Sequence, residues 1–306
     1  MLYAIVLGAA AGGGVPQWNC GCANCQEARG PRRDPVQSAS TQVSIAVSAN
    51  DRDWILINAS PDLRQQINAT PQLHPRAGAL RHSPIAGVIL TNAEVDAIAG
   101  LLSLREGSPF SIYAPTEVLD VLRDNNIFRV LDATKVPRVS VGARERFEPQ
   151  ISGNSIGLRI TSFQVPGKPA LYIKDQAADR DGPTIGLRIE DMFGGKSICV
   201  VTACARVTDE LKTQIADCDI LLFDGTLWRD DELIAAGLGN QTGKRMGHQA
   251  MGGADGVIAT FAGVKAGRKV FVHINNSNPV WHASPEREAA ERAGWEIGYD
   301  GMEFTL

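Results

Sequence analysis

The sequence has no long apolar run and no excess of positive charge. No apolar segment approaches the roughly 20 residues that a helix needs to cross a bilayer. The formal net charge of −4 argues against binding of nucleic acid through a general electrostatic field. The apolar start, MLYAIVLGAAAGGGVP, lacks the basic segment that opens a signal peptide, and it predicts a strand followed by a glycine loop. We therefore expect a cytoplasmic protein without a membrane span or a nucleic-acid partner.

Cysteine is scarce, with six residues in 306, and its distribution does not suggest a disulfide framework. Cys20, Cys22 and Cys25 lie together in CGCANC. A chain that turns back through glycine can direct three thiolates at one tetrahedral ion. This spacing therefore predicts a structural Zn2+ site, with a redox-active or merely buried cluster as the alternative. The other three cysteines lie in or near apolar strand-like runs and are expected in the core.

Strand-like and helix-like segments alternate along the chain. Strands are predicted at YAIVLG, SIAVSA, WILINA, GVILT, FSIYA, GLRITSFQV, ALYI, TIGLRIE, SICVVTA, DILLFDG, KVFVHI and WEIGYD. Helices are predicted at 62–67, 93–104, 115–125, 209–216 and 285–293, a hairpin turn at 50–51, and an exposed loop at 174–183. Hairpins flanked by helices imply a layered α/β sandwich. Because no long linker interrupts the pattern, we expect a single domain over residues 1–306.

An ordered set of motifs runs from the first residues to the last. These are GAAAGGGVPQWNCGCANC, NASPDLRQQ, GLLSLREG, DGTLWRDDE, MGH, HINNSNP and GWEIGYDGMEF. In this order they resemble the coenzyme PQQ synthesis B family, a branch of the metallo-β-lactamase superfamily. The resemblance implies a four-layer αββα sandwich. It also implies a role in making pyrroloquinoline quinone (PQQ) from a ribosomal precursor peptide, alongside the other proteins of that pathway.

The first metal-binding motif of the superfamily has lost its histidines. That motif reads His-x-His-x-Asp-His before Gly-Leu, and the matching positions here are Asn92, Glu94, Asp96 and Ala97. A histidine expected within 165–168 and a bridging aspartate expected within 203–205 are also missing. A dizinc hydrolase needs several imidazoles and a bridging carboxylate around its metal pair. Residual hydrolase activity is therefore the least favoured function.

The remaining ligand candidates are mostly carboxylates. Glu94 and Asp96 lie two residues apart on the turn, and His273 ends a strong strand at the position of the last superfamily ligand. His248 matches a Gly-His that lines related pockets, and Asp224 either faces the same cleft or caps a loop. Such ligands suit one Fe(II) better than two zinc ions. We therefore predict iron bound by Glu94, Asp96, His273 and Asp224, with Glu94, Asp96, His248 and His273 as the catalytic set.

The resemblance also implies which reaction these residues would catalyse. It implies hydroxylation of a tyrosine ring derived from the precursor peptide, with iron activating O2. Without that frame, Glu94 and Asp96 would be read as residues that favour a helix start, and His273 as a hydrogen-bonded histidine at a strand end. An oxygenase is the leading hypothesis, and enzymatic activity itself stays open.

The altered ligand set also favours a second function, that of a carrier. Such a protein would bind PQQ or a late intermediate and assist its transport to the periplasm, with Lys244 and Arg245 as candidates to bind its carboxylates. Trp18, Trp228 and Trp281 are candidates to line the pocket. The oligomeric state stays open, with a homodimer among the candidates.

The fourth zinc ligand follows from related phosphodiesterases that share the cysteine triplet. In those proteins a histidine lies three residues beyond the C-terminal active-site histidine, and that position here is Asn276. Asparagine is a weak zinc ligand. The fourth ligand is therefore predicted to be Asn276, a nearby histidine or water.

Overall fold

The computed structural model describes residues 1–30, 39–151, 153–173 and 182–306. Two seven-stranded mixed sheets form its centre, and helices cover their outer faces. This arrangement confirms the predicted αββα sandwich. The single-domain organisation stays a prediction, and residues 174–181 of the predicted exposed loop lie outside the described residues. No helix in the described part of the chain is long and apolar enough to cross a membrane.

The first sheet has the order β16-β1-β2-β3-β4-β5-β6. Its strands are β1 Tyr3–Gly8, β2 Ser44–Ser48, β3 Trp54–Ile57, β4 Ile85–Ile89, β5 Ser111–Ala114, β6 Arg138–Ser140 and β16 Met302–Thr305. The second sheet has the order β15-β14-β13-β12-β11-β10-β7. Its strands are β7 Arg146–Phe147, β10 Leu158–Gln164, β11 Ile185–Asp191, β12 Ser197–Val201, β13 Ile220–Asp224, β14 Arg268–Val272 and β15 Trp295–Ile297. A separate pair joins β8 Gln150–Ile151 to β9 Asn154–Ser155.

The described helices are short. They are α1 Ala23–Arg29, α2 Leu63–Ala69, α3 Val95–Ile98, α4 Thr116–Asp124, α5 Asp209–Ile215, α6 Glu232–Ala235, α7 Gly243–Met246, α8 Val257–Thr260 and α9 Pro285–Arg292. Short segments of 3-10 helix occur at Pro71–Leu73, Ala99–Leu104, Asn126–Val130 and Pro279–Trp281. Apart from the helix predicted at 93–104, the predicted helices are confirmed with ends shifted by at most two residues.

The two sheets share one connection pattern. In each, three antiparallel pairs are followed by three parallel pairs, from β16/β1 to β5/β6 and from β7/β10 to β14/β15. Strand β4 in the first sheet therefore corresponds to β13 in the second. Each sheet has its parallel strands on one side, where their carboxyl ends reach the same edge.

Side-chain alternation explains why the first sheet is buried on both faces. Along β1, Ala4 and Val6 belong to the core shared by the two sheets, whereas Ile5 and Leu7 belong to the core beneath α2 and α4. The predicted hairpin is confirmed, because β2 and β3 pair antiparallel across the turn at 50–51.

Two sequence predictions were wrong in ways that affect the cavity. ALYI, predicted as a strand, forms a turn with Ala170 buried and Leu171 exposed. The helix predicted at 93–104 is divided into α3 and a 3-10 segment. The reason is close packing, since a Cβ on Gly100 would lie 2.0 Å from the carbonyl oxygen of Ser60. The Gly100 N–H donates to the carbonyl of Ala59 at 2.8 Å, which fixes this approach.

Candidate functional site

The strand ends of the two sheets meet beneath a cavity. Thr91 follows β4 and Thr202 follows β12, and their hydroxyl oxygens lie 3.1 Å apart. Asn58, at the end of β3, accepts the Thr91 N–H at 2.9 Å. Above these contacts lies a cavity of about 610 Å³, a size typical of small-molecule sites. The turn after β4 and the loop after β14 both contribute side chains to its wall.

His273 and Asp96 come from opposite sheets and contact each other. His273 Nε2 lies 3.0 Å from Asp96 Oδ2, and His273 Nδ1 lies 2.8 Å from the Thr226 hydroxyl. His273 has a φ of 56°, a left-handed conformation that is uncommon for residues other than glycine. Such backbone strain is often found at functional positions. The contacts of its two ring nitrogens with Asp96 and Thr226 hold the imidazole in one orientation.

Asp224 caps a loop, one of the two roles considered from the sequence, and it contacts residues of the cavity wall without lining the cavity itself. Its side chain is 1% exposed. It accepts the backbone N–H groups of Thr226 at 3.1 Å and Cys204 at 2.9 Å, which makes it a loop cap. It also lies 2.7 Å from His248 Nδ1, and the rings of His248 and His273 stack with centroids 5.0 Å apart. The buried carboxylate of Asp224 therefore lies close to both imidazoles, 2.7 Å from His248 Nδ1 and 3.7 Å from His273 Nδ1.

The electrostatics of this group are strongly perturbed. Burial disfavours a charged His273, but the carboxylates of Asp224, 3.7 Å away, and Asp96, 3.0 Å away, outweigh burial and raise the pKa of His273 to about 10. Burial also opposes ionisation of Asp224, yet the charges and hydrogen bonds of His248 and His273 outweigh it and lower the Asp224 pKa. The pKa of Asp96 is lowered, because its hydrogen bond to His273 outweighs its burial. At neutral pH a charged imidazolium lies between ionised carboxylates.

Glu94 has a different partner from Asp96. Both line the cavity, but Glu94 Oε1 lies 3.3 Å from Lys168 Nζ, and the N–H of Leu171 donates to Glu94 Oε2 at 3.5 Å. Within the described residues, one acidic and imidazole group has all its ligand atoms within 4.8 Å of one another, and it consists of Asp224, His248 and His273. The structure does not bring Glu94 into that group. Its role as an iron ligand stays a prediction.

Two cationic side chains line the cavity. Arg245 was expected from the sequence, whereas Lys168 was missed. Lys168 lies in the segment where the superfamily carries a ligand histidine, and this offered a signal for its position. Lys244 is exposed and lies outside the cavity lining. The three candidate tryptophans are not among the residues that line this cavity.

The cysteine cluster is compact. The sulfur atoms of Cys20, Cys22 and Cys25 lie within 4.8 Å of one another. Asn276 Nδ2 lies 3.1, 3.6 and 3.3 Å from them, respectively. The N–H of Gln17 donates to the Cys25 sulfur at 3.3 Å. Exchange of the two amide atoms of Asn276 would place its oxygen at the same point, because a side-chain amide is assigned from its contacts.

One loop joins the cysteine cluster to the cavity wall. The segment HINNSNP carries His273, then Asn275 in the cavity lining, then Asn276 among the sulfurs. Asn24 of α1 donates to the carbonyls of Asn276 and Asn278, each at 2.9 Å. The cysteine-bearing N-terminal segment is therefore fastened to the loop that positions the imidazole. The three isolated cysteines, 199, 204 and 218, are buried, as the sequence predicted.

Comparisons with known proteins agree with this geometry. Residues 53–274 match the Beta-lactamase superfamily domain. Coenzyme PQQ synthesis protein B of Rhodopseudomonas palustris is 60% identical over 312 residues, covering 100% of both chains. The same-named protein of Bradyrhizobium diazoefficiens is 55% identical over 312 residues, again covering 100% of both chains. The crystal structure of Zn(2+)-bound PqqB from Methylobacterium extorquens superposes with a TM-score of 0.93 at 49% identity, covering 99% of this chain and 100% of that chain. A diphosphatase of the PhnP family, at 20% identity and a TM-score of 0.69, shares the fold.

Proposed function

The chain belongs to the coenzyme PQQ synthesis B family of the β-lactamase superfamily, and from that premise we propose that it hydroxylates a tyrosine-derived precursor of PQQ with Fe(II) and O2. Its place in PQQ biosynthesis rests on the full-length relatives. The observation that supports the reaction is the cluster of two imidazoles and two carboxylates formed by His248, His273, Asp96 and Asp224 beside the cavity.

The donor set fits a single iron better than a zinc pair. Two imidazoles with a carboxylate are the usual ligands of non-haem Fe(II) in oxygenases. His248, His273 and Asp224 offer that combination, and Asp96 supplies a further oxygen next to His273. Bound iron would supply activation of O2 for attack on the aromatic ring. Residues 92–97 carry two carboxylates, Glu94 and Asp96, and no imidazole, so the histidine ligands of a second metal are missing from that turn.

The protein's own residues orient the ligands and enclose the substrate. The Thr226 hydroxyl contacts the Nδ1 atoms of both His248, at 3.0 Å, and His273, at 2.8 Å. Partners of this kind set the tautomer and direction of metal-binding imidazoles. Overall, one oxygen atom of O2 enters the ring and the other leaves as water. The reaction therefore also consumes two electrons from a reductant, for which ascorbate serves in an assay.

The cysteine cluster is proposed to bind a structural Zn2+. Cys20, Cys22 and Cys25 supply three thiolates, and Asn276 is the proposed fourth ligand. The N–H of Gln17 also donates to the Cys25 sulfur, a contact that holds this side chain in the cluster. A relative of the same family is described as Zn(2+)-bound. A metal here would hold the N-terminal segment against the loop that carries His273.

The test of hydroxylation separates binding from chemistry. The full chain is titrated anaerobically with Fe(II), then mixed with O2, ascorbate and a tyrosine-derived substrate, and the product mass is measured with isotopically labelled O2. His273→Ala and His248→Ala are expected to weaken Fe(II) binding at least 100-fold, since loss of even a supporting partner costs about 10- to 100-fold. His74→Ala is the control, because His74 is exposed and lies outside the cavity lining. Equal Fe(II) binding by all three variants would rule out this site.

A carrier for PQQ or a late intermediate is the second candidate. The observation that favours it is the presence of Lys168 and Arg245 in the cavity lining, since cationic side chains bind carboxylates. The discriminating result is tight PQQ binding by a protein that shows no oxygen incorporation under the assay above.

A further inference from the structure

We propose that Lys168 and Arg245, which both line the cavity, form a subsite for a carboxylate of the bound ligand, and that Glu94 is the counter-ion of Lys168 in this subsite. The inference rests on the proposed function, because it takes the ligand to be a carboxylated aromatic compound of the PQQ pathway. It gives Glu94 a role in ligand binding that differs from the role of metal ligand predicted from the sequence.

Packing directs Lys168 into the cavity. Its Cγ lies 3.0 Å from the point that a Cβ on Gly247 would occupy. Gly247 ends α7 with a φ of 86°, a conformation that glycine adopts without strain. The aliphatic part of Lys168 therefore packs against the short segment that carries both Arg245 and His248. This contact brings the ammonium group to the same cavity as the imidazoles.

The Lys168–Glu94 pair is incomplete as a hydrogen-bonded pair. The two side chains are 27% and 23% exposed, and the charged atoms lie 3.3 Å apart. Glu94 Oε1 is nevertheless buried without a hydrogen-bond partner in the described part of the chain. The ammonium carries three donors, and among the described residues its charged contact is with Glu94 alone. Lys168 can therefore donate to a ligand carboxylate without breaking an internal hydrogen bond.

The cavity mouth adds an apolar contribution. Val95 and Leu171 line the cavity and are 56% and 81% exposed. Large apolar side chains exposed at the rim of a cavity are typical of ligand contacts. An apolar rim together with a cationic subsite favours binding of a flat aromatic ligand that carries a carboxylate. Glu94 would hold Lys168 in place before such a ligand binds and would repel the incoming negative charge.

The experiment measures ligand affinity without chemistry. Binding of PQQ and of fully methyl-esterified PQQ to the full chain is measured by calorimetry under anaerobic conditions. Lys168→Met keeps the aliphatic packing and removes the charge. Lys196→Met is the matched control, because Lys196 also pairs with a carboxylate, that of Asp219 at 2.7 Å, but lies outside the cavity lining. Fe(II) binding is measured on the same samples.

We expect Lys168→Met to weaken PQQ binding roughly 10- to 100-fold, the loss typical of one charge-assisted hydrogen bond, and Lys196→Met to change it less than about twofold. Binding of the ester should not depend on Lys168. Glu94→Gln should bind PQQ as tightly as the wild type or more tightly, with Fe(II) binding retained. The proposal is overturned if Lys168→Met behaves as the control, if it weakens the ester equally, if the wild type does not bind PQQ, or if Glu94→Gln loses Fe(II). Loss of the hydroxylase hypothesis would appear separately, as a wild type that binds PQQ but not Fe(II).

Discussion

Replacement of Asp224 by asparagine tests the electrostatic centre of the site. The change keeps the shape of the side chain but removes its charge. Both carboxylate oxygens are used, since Oδ1 accepts from Thr226 and Oδ2 accepts from Cys204 N and contacts His248 Nδ1. In either orientation, the amide NH2 of an asparagine would face a backbone N–H group. The substitution therefore leaves a buried donor without an acceptor.

The size of the effect follows from these contacts. A buried donor left without an acceptor costs about 1–3 kcal/mol, and loss of a hydrogen bond to a charged group about 1.5–3 kcal/mol. Together they agree with the roughly 3–5 kcal/mol found when one partner of a buried ion pair is removed. An unfolding entropy of about 2.1 cal/mol/K per residue, applied to 306 residues, gives about 0.6 kcal/mol/K. Asp224→Asn should therefore lower Tm by about 5–8 °C.

The assay is thermal unfolding followed by circular dichroism, with EDTA present so that metal binding does not contribute. Asp217→Asn is the control, because Asp217 is exposed and has a φ of 58°, which asparagine tolerates. The control should stay within about 1 °C of the wild type, in line with a surface change of under about 0.5 kcal/mol. An Asp224→Asn protein that melts with the control would refute the buried-pair argument.

Three further predictions address other parts of the molecule. Because the pKa of His273 is raised from 6.5 to about 10, the stability that it contributes should be complete below about pH 6.5 and be lost as the pH rises to about 10. Urea unfolding in EDTA at several pH values should show this decline in the wild type and not in His273→Gln. Asn276→Ala should weaken zinc binding about 10-fold or more, and Asn276→Asp should strengthen it, since a carboxylate is the better zinc ligand. Competition with a chromogenic chelator measures both affinities. Equal zinc affinities of the wild type and both variants would remove Asn276 from the ligand set. Gly100→Ala should cost about 1–3 kcal/mol, because its Cβ would lie 2.0 Å from the Ser60 carbonyl oxygen, whereas Gly263→Ala, which meets nothing within 4 Å, serves as the control in thermal unfolding and should melt close to the wild type.

The sequence predicted the fold because the pattern along each strand is strong. Strand β1 alternates between two apolar environments, and β2 and β3 flank a clear turn. ALYI at 170–173 was misread, since a short apolar run carries no information on whether its residues pair with a neighbouring strand. The shortened α3 was missed because the constraint comes from Ser60, which lies on another loop.

The order of the motifs was enough to predict which residues lie near the site. It was not enough to predict which side chains contact one another there. The superfamily frame placed Asp96 and His273 in one site, and the structure brings their side chains to 3.0 Å. The same frame could not show that Glu94, two residues away, pairs with Lys168. Nor could it show that Asp224 is both a loop cap and the partner of His248. Such choices depend on side chains far apart in the sequence.

The matching connection pattern of the two sheets has a consequence for how this site comes into being. Asp96 lies in the segment after β4, and Asp224 is the last residue of β13, the strand at the corresponding position in the other sheet. The cavity therefore lies where the two sheets meet, and each sheet contributes one aspartate near it. A fragment ending before β10 would keep Asp96 yet lack every ring nitrogen that surrounds it in the intact molecule. The contact between Asp96 and His273 therefore forms only when the two sheets pack against each other.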